Sequence, residues 1–135
     1  MTTLDAGPTG DGTVAMVDPA AEGADLEQRR AEQQARLQGL IDRLINAGGP
    51  QAERLAEVGV KSGGDVSLDD LPRLRTLRKQ DLWEHYPAGM RTVPDEEIVC
   101  VHGSSGTGGR PTLVPYTATD IDIWADVMAR ALGGA

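Results

Sequence analysis

Aromatic residues are scarce in this 135-residue chain, which has two Trp, two Tyr and no Phe. Since aromatic side chains bury large areas, a core built almost without them is small. The length suits one domain, but the composition predicts a loosely folded or partner-dependent fragment. The single cysteine, Cys100, excludes an internal disulfide and a cysteine-based metal cluster.

Positive charge and long apolar runs are also lacking. The formal net charge is -8 and the pI is near 4.6, which argues against nucleic acid, because that partner requires a positive surface. No stretch approaches the ~20 apolar residues of a membrane helix, and the amino terminus lacks the basic-then-apolar pattern of a signal peptide. We therefore expect a cytoplasmic protein with neither a nucleic-acid nor a membrane partner.

Glycine is abundant and is concentrated at residues 102–111, His-Gly-Ser-Ser-Gly-Thr-Gly-Gly-Arg-Pro. Glycines let the backbone approach a ligand closely, so that successive N–H groups can converge on an anion. Ser104, Ser105 and Thr107 add hydroxyl donors, and Arg110 adds a permanent cation with forked donors. Apolar runs flank the loop, which predicts a strand–loop–strand phosphate site. A disordered loop, or one that only connects a hairpin, is the alternative.

Two well-known phosphate motifs do not fit this loop. Gly103 and Gly108 have the spacing of a Walker loop, but Gly-Arg-Pro stands where Gly-Lys-Ser/Thr is required. In a dinucleotide fingerprint that begins at Gly106, the third glycine position holds Pro111. The predicted site therefore has no helix dipole behind it.

Residues 104–111, Ser-Ser-Gly-Thr-Gly-Gly-Arg-Pro, resemble the Ser-Ser-Gly-Thr-Thr-Gly-Lys-Pro signature of the adenylate-forming ligases. Four flanking stretches are similar, in order and spacing, to the phenylacetate-CoA ligase family: Lys-Gln-Asp-Leu at 79–82, Tyr-Pro-Ala-Gly at 86–89, Ile-Val-Cys-Val-His at 98–102 and Asp-Ile-Asp-Ile-Trp at 120–124. The resemblance is close from about residue 74 onward and weaker back to about residue 26. Gly108 replaces the usual second Thr, and Arg110 replaces the commoner Lys.

The resemblance implies an α/β fold, namely the amino-terminal part of the large domain of an adenylate-forming enzyme. It implies an ATP-dependent ligase that joins phenylacetate to coenzyme A through an acyl adenylate, with Mg²⁺ arriving on ATP and a homodimer as the assembly of the full-length enzyme. Two alternatives stay open: a sister enzyme for another aryl acid, and a non-catalytic remnant or interaction module. Because the family's proteins are several times longer, we expect this chain alone to be inactive.

The same resemblance assigns the phosphates of ATP to the loop residues Ser104, Ser105, Gly106, Thr107, Gly108, Gly109 and Arg110. Arg110 is the expected catalytic residue, since its charge would offset that of the leaving pyrophosphate. His102, at the mouth of the loop, is expected either to contact phosphate or acyl substrate or to be a hydrogen-bonded structural residue. No metal site of the protein's own is expected, and the adenine, acid and CoA sites are expected beyond Ala135.

The composition predicts a disordered leader over residues 1–23, and the resemblance implies one incomplete AMP-binding domain over residues 24–135. Its first half is expected to be helical, with a capping box of Asp25 and Gln28 at the start of the first long helix. Further helices are predicted after Pro50 and over residues 78–85. Leu77, Leu82 and Tyr86 are the expected buried contacts of the last of these.

The second half is expected to form strands over residues 97–102 and 113–116, followed by a helix. Thr117 caps that helix, with Asp120 at the capping-box position. Three residues that belong to the family pattern are interpreted as structural. Asp81 is expected to be a polar anchor, and Tyr86 and Trp124 are expected to be buried aromatics.

Overall fold

The computed structural model describes residues 16–106 and 109–133. Helices make up the first half of the chain, and a hairpin with one following helix makes up the second, which confirms the predicted order of elements. The elements are α1 (Pro19–Glu22), α2 (Leu26–Ala47), α3 (Gly49–Glu57), α4 (Lys79–Glu84), β1 (Ile98–Gly103), β2 (Leu113–Thr117) and α5 (Ala118–Gly133), with 3-10 turns at Gly63–Asp65, Leu68–Arg73 and Asp95–Glu97. None of the described helices combines the length and apolar character that crossing a membrane requires.

Capping boxes begin the two longest helices, as the sequence predicts. At α2, the Asp25 carboxylate accepts the Gln28 N–H at 2.8 Å, and the Gln28 side chain accepts the Asp25 N–H at 3.4 Å. At α5, Asp120 accepts the Thr117 N–H at 2.9 Å, and the Thr117 hydroxyl accepts the Asp120 N–H at 3.2 Å. Each box satisfies donors that a helix start leaves without a partner.

A small core lies between α2, α3 and the turns that follow them. Its buried apolar side chains are Ile41, Leu55, Val60 and Val66, with Leu37, Leu44, Ile45 and Leu74 packed around them. Ile41, Leu44 and Ile45 recur at helical spacing and so present one face of α2 to α3. This core contains no aromatic side chain, which agrees with the composition.

Gly63 brings the turn after α3 into direct contact with the backbone of α2. A Cβ atom at this position would lie 2.3 Å from the Gln38 carbonyl oxygen. The Gly63 N–H also donates to the Asp42 carboxylate at 2.7 Å. The sequence predicts only a turn here, so this close approach is a finding of the structure.

The two strands pair antiparallel, with Cys100 opposite Tyr116 and His102 opposite Val114. The pairing is irregular between Ile98 and Cys100, and the observed strands extend one residue beyond each predicted carboxyl end. Helix α5 packs against β2. The loop expected to bind phosphate therefore joins two paired strands of one hairpin.

Disorder was expected over residues 1–23, and this does not hold for residues 19–22. There α1 forms a single helical turn, which the Asp18 carboxylate caps by accepting the Ala21 N–H at 3.1 Å. Val17 lies so close to the end of α5 that a Cβ on Gly133 would be 2.5 Å from its Cγ2. Residues 1–15 of the expected leader lie outside the described residues.

Three residues expected to be buried are exposed instead. Leu77 is 43% exposed, Tyr86 is 41% exposed and Trp124 is 45% exposed. Apolar residues at helical spacing predict a face that can be buried, but no further layer of the described chain covers α5 or the turn after α4. Asp81, in contrast, is buried as expected.

Candidate functional site

Two hydrogen bonds between the same pair of residues close the base of the glycine-rich loop. The Ser104 N–H donates to the Thr112 carbonyl at 3.0 Å, and the Thr112 N–H donates to the Ser104 hydroxyl oxygen at 2.9 Å. Ser104 thus extends the ladder of the hairpin by one step. Its hydroxyl retains a proton to donate, but its N–H is already used within the protein.

Backbone angles explain why two positions of the loop are occupied by glycine. Gly106 has φ of +65° and Gly109 has φ of +134°, and the Gly109 N–H donates to the Gly106 carbonyl at 2.9 Å. Both angles lie in a region that side chains disfavour. A Cβ on Gly106 would also lie 3.1 Å from the Gly109 carbonyl oxygen. The loop therefore folds into a tight turn, while Thr107 and Gly108, two of the expected phosphate contacts, lie outside the described residues.

Ser105, Gly106 and Arg110 carry donors that no described residue occupies. Within the described residues, neither the Ser105 hydroxyl nor the Gly106 N–H has a hydrogen-bond partner, and Arg110 takes part in no ion pair. Ser105 and Arg110 are both exposed. This donor set fits a phosphate group. Residues 102–111 include no acidic side chain, so Mg²⁺ would have to arrive with the nucleotide.

Aromatic side chains lie beneath the second half of the loop. The guanidinium carbon of Arg110 is 6.0 Å from the centre of the Tyr86 ring. A Cβ on Gly109 would meet Trp83 Cη2 at 3.5 Å. Lys79 also lies near the Trp83 ring, with its Nζ 5.1 Å from the ring centre.

Sequence reasoning missed these loop contacts of Trp83 and Tyr86. Their spacing of three is the available signal, because residues at i and i+3 lie on the same side of a helical segment. The spacing does not reveal what that side contacts, since the loop lies more than twenty positions further along the chain.

Asp81 fixes the helix that carries Trp83. Its carboxylate accepts the Arg78 N–H at 2.7 Å and pairs with Arg54 of α3 at 2.5 Å, and Arg75 lies 3.8 Å away. The Arg78 N–H, followed by Arg54, lowers the pKa of Asp81 below its ordinary value of 3.8. This ionised anchor ties α4 to α3 and so sets the position of the surface under the loop.

His102 belongs to a different cluster. Its ring makes edge contacts with Tyr116, at 5.2 Å between centroids, and with Trp124, at 5.3 Å. Tyr116 and Trp124 stack on each other at 5.9 Å. The structure therefore brings His102 together with β2 and α5, and Arg110 together with Tyr86.

A cleft of about 560 Å³ lies beside the loop, between the α4 segment, the hairpin and the start of α5. Leu82, Met90 and Leu113 contribute to a mostly apolar wall. Arg43 and Arg91 also line the cleft. The candidate phosphate site is nevertheless the loop, because it presents donors that no described residue occupies. In the described part of the chain, no three His, Cys, Asp or Glu side chains come together as metal ligands.

Comparisons with known proteins show what the chain as a whole is similar to. No family model matches the chain. A solved structure of 2-hydroxyisobutyryl-CoA ligase, in complex with 2-HIB-AMP and CoA in the thioesterification state, superposes with a TM-score of 0.75 at 30% identity. The match covers 86% of this chain and 26% of that one. The fold is therefore that of part of an adenylate-forming CoA ligase.

Curated phenylacetate-CoA ligases from three organisms align with most of the chain. The Thermus thermophilus protein is 42% identical over 120 residues, which are 89% of this chain and 27% of the relative. The Pseudomonas putida protein is 38% identical, over 93% of this chain and 28% of the relative. The Escherichia coli protein is 36% identical, over 88% of this chain and 27% of the relative. The chain is similar to phenylacetate-CoA ligases over most of its own length and spans about a quarter of the length of these relatives.

Proposed function

We propose that this chain supplies the phosphate-binding portion of an ATP-dependent ligase that forms an aryl-acetyl-CoA thioester from phenylacetate, ATP and CoA. The observation that carries the proposal is the loop itself. A closed turn presents the Ser105 hydroxyl, the Gly106 N–H and the Arg110 guanidinium, none of them bonded to a described residue.

In this reaction the phenylacetate carboxylate attacks the α-phosphate of ATP and pyrophosphate leaves; the CoA thiol then displaces AMP from the acyl adenylate. The loop would hold the β- and γ-phosphates, and Arg110 would offset the negative charge that develops on the leaving pyrophosphate. A single well-placed donor of this kind contributes about 10²–10³ in rate. Mg²⁺ bound to ATP belongs to the same proposal.

The surface of the chain supports a role within a larger protein. The second half exposes large apolar side chains on both the hairpin and α5: Val99, Val101, Val114, Ile123, Trp124, Val127, Met128 and Leu132. Exposed apolar area on this scale marks an interaction surface. We propose that the rest of an adenylate-forming domain covers it and supplies the sites for adenine, acid and CoA. A homodimer of the full-length enzyme and a cytoplasmic location stay predictions.

A chimaeric enzyme tests this function. This chain replaces the matching part of the Pseudomonas putida ligase, and phenylacetate-dependent exchange of labelled pyrophosphate into ATP is measured. We expect exchange by the chimaera and none by the chain alone. A chimaera that folds and binds CoA but shows no exchange would contradict the proposal, and exchange by the isolated chain would contradict the need for the rest of the domain.

A sister ligase for another acid is the second candidate. It is favoured by the structural relative, which is named for 2-hydroxyisobutyryl-CoA and is 30% identical to the chain. Because the acid site is expected outside this chain, the chimaera cannot decide between the two. A panel of aryl and hydroxy acids, assayed with the full-length natural protein, decides it by the acid with the highest kcat/KM.

A further inference from the structure

Arg110 is held in an unusual way for an exposed cation in an acidic protein. Within the described residues it pairs with no carboxylate, although the chain has 21 Asp and Glu against 13 Lys and Arg. The Arg110 guanidinium lies over the Tyr86 ring instead, with its carbon 6.0 Å from the ring centre. This distance is at the outer limit of a favourable cation–π contact.

An aromatic partner and a carboxylate partner have different consequences for an arginine. A carboxylate takes up two N–H donors and cancels the charge. An aromatic ring attracts the cation through its π-electrons and does not neutralise it, so the guanidinium can still bind an anion with its forked donors. Tyr86 can therefore restrict the position of Arg110 without competing with phosphate.

The neighbouring contact supports the same role for this side of α4. Trp83, three residues before Tyr86, lies beside Gly109, where an added Cβ would meet its ring at 3.5 Å, so aromatic rings flank both residues at the end of the loop. Asp81 fixes this segment through Arg54. The contacts thus form a continuous path from the helical core to the guanidinium.

We propose that Tyr86 is a positioning residue that orders the Arg110 guanidinium for a phosphate ligand; this role rests on the proposed function of the loop. Tyr86 is not among the donors proposed to bind the phosphate, so its effect on phosphate binding would act through its contact with Arg110. A long, exposed arginine has many rotamers, and ordering it before binding reduces the entropy lost when the anion arrives.

The 135-residue chain and four variants test this proposal by titration with inorganic pyrophosphate. Tyr86→Leu removes the ring, Tyr86→Phe keeps it without the hydroxyl, Arg110→Ala removes the cation, and the fourth variant combines Tyr86→Leu with Arg110→Ala. We expect Tyr86→Leu to weaken binding about two- to fivefold, the range of an exposed cation–π contact. Tyr86→Phe should bind like the wild type, and Tyr86→Leu should have no further effect once Arg110 is absent.

The NMR signal of the Arg110 Nε–H group provides a readout that does not require phosphate. A nearby ring shifts this proton upfield, so the shift should be present in the wild type and Tyr86→Phe and lost in Tyr86→Leu. Circular dichroism melting curves establish that each variant is folded. An unchanged shift in folded Tyr86→Leu overturns the proposal, and so does weakening by Tyr86→Leu that persists without Arg110.

The two proposals fail in different ways. If the wild-type chain shows the upfield shift but binds no pyrophosphate, the phosphate role of the loop is wrong, while the Tyr86–Arg110 contact is supported. If the chain binds pyrophosphate and the shift is absent, the loop keeps its role and the positioning by Tyr86 is overturned.

Discussion

Replacing Gly63 by alanine should destabilise the whole helical half of the chain. The new Cβ would lie 2.3, 2.7 and 2.8 Å from the O, C and Cα atoms of Gln38. All three are backbone atoms of α2, so no side-chain rotation can relieve the clash, and the turn at 63–65 must move away from the helix. That movement also breaks the bond from the Gly63 N–H to Asp42 and loosens Val66, which is 2% exposed in the core.

Overpacking of this kind costs about 1–3 kcal/mol. For a domain of this size, ~1 kcal/mol changes Tm by about 4–8 °C, so the expected loss in Tm is roughly 5–20 °C. The assay is thermal unfolding followed by circular dichroism. Gly64→Ala is the matched control, because a Cβ there meets only the Ser62 hydroxyl oxygen, at 3.5 Å. Equal Tm values for the two variants would refute the close approach of the turn to α2.

Four further perturbations have defined outcomes. Backbone N–H donors are the largest cause that lowers the pKa of Asp65, Asp81 and Asp120 below 3.8, and the Ser67 hydroxyl is the largest for Asp70; the Ser62 and Thr117 hydroxyls and charged neighbours act in the same direction. The stability that these carboxylates contribute is therefore present above pH 3.8 and is lost as the pH falls through the folded pKa values. Tm should therefore fall on acidification below that pH, less steeply in Asp120→Asn, and a flat profile would contradict this. Gly109→Ala places a side chain at a φ of +134°, so it should strain the loop by about 1–3 kcal/mol and weaken pyrophosphate binding. In Gly39→Ala the new Cβ meets nothing within 4 Å, so this change within α2 should increase the free energy of unfolding by up to about 1 kcal/mol and thereby raise Tm. Deleting residues 1–23 removes the contact of the half-exposed Val17 with the end of α5, so it should lower the free energy of unfolding by about 1 kcal/mol or less. A larger decrease in unfolding experiments would show that the leader packs more extensively.

Local signals in the sequence were sufficient to predict where the two longest helices begin, although they did not predict α1. The pairs Asp25–Gln28 and Thr117–Asp120 predict both capping boxes, because such bonds join residues only three apart. The position of the glycine-rich loop between two strands also follows from local pattern, since glycine and proline interrupt apolar runs there.

Contacts between distant segments could not be predicted in the same way. The sequence predicts a turn at Gly63, and only the structure shows that a side chain there would clash with the backbone of Gln38 in α2. Tyr86 and Trp124 look like core residues by composition and spacing, yet both are more than 40% exposed. Exposure depends on which layers of a fold are present around a residue, and a helical period carries no information about those layers.

Steady-state adenylation kinetics of the chimaera and its Arg110→Ala variant test the central claim most directly, namely that the loop acts on the phosphates of ATP as pyrophosphate leaves. Free donors at Ser105 and Gly106 already suit bound phosphate, which leaves the guanidinium to stabilise developing charge. Loss of Arg110 should therefore lower kcat by ~100-fold, about 3 kcal/mol, with a smaller change in the KM for ATP. An unchanged kcat with a raised KM would contradict the account and make Arg110 a ground-state binding residue.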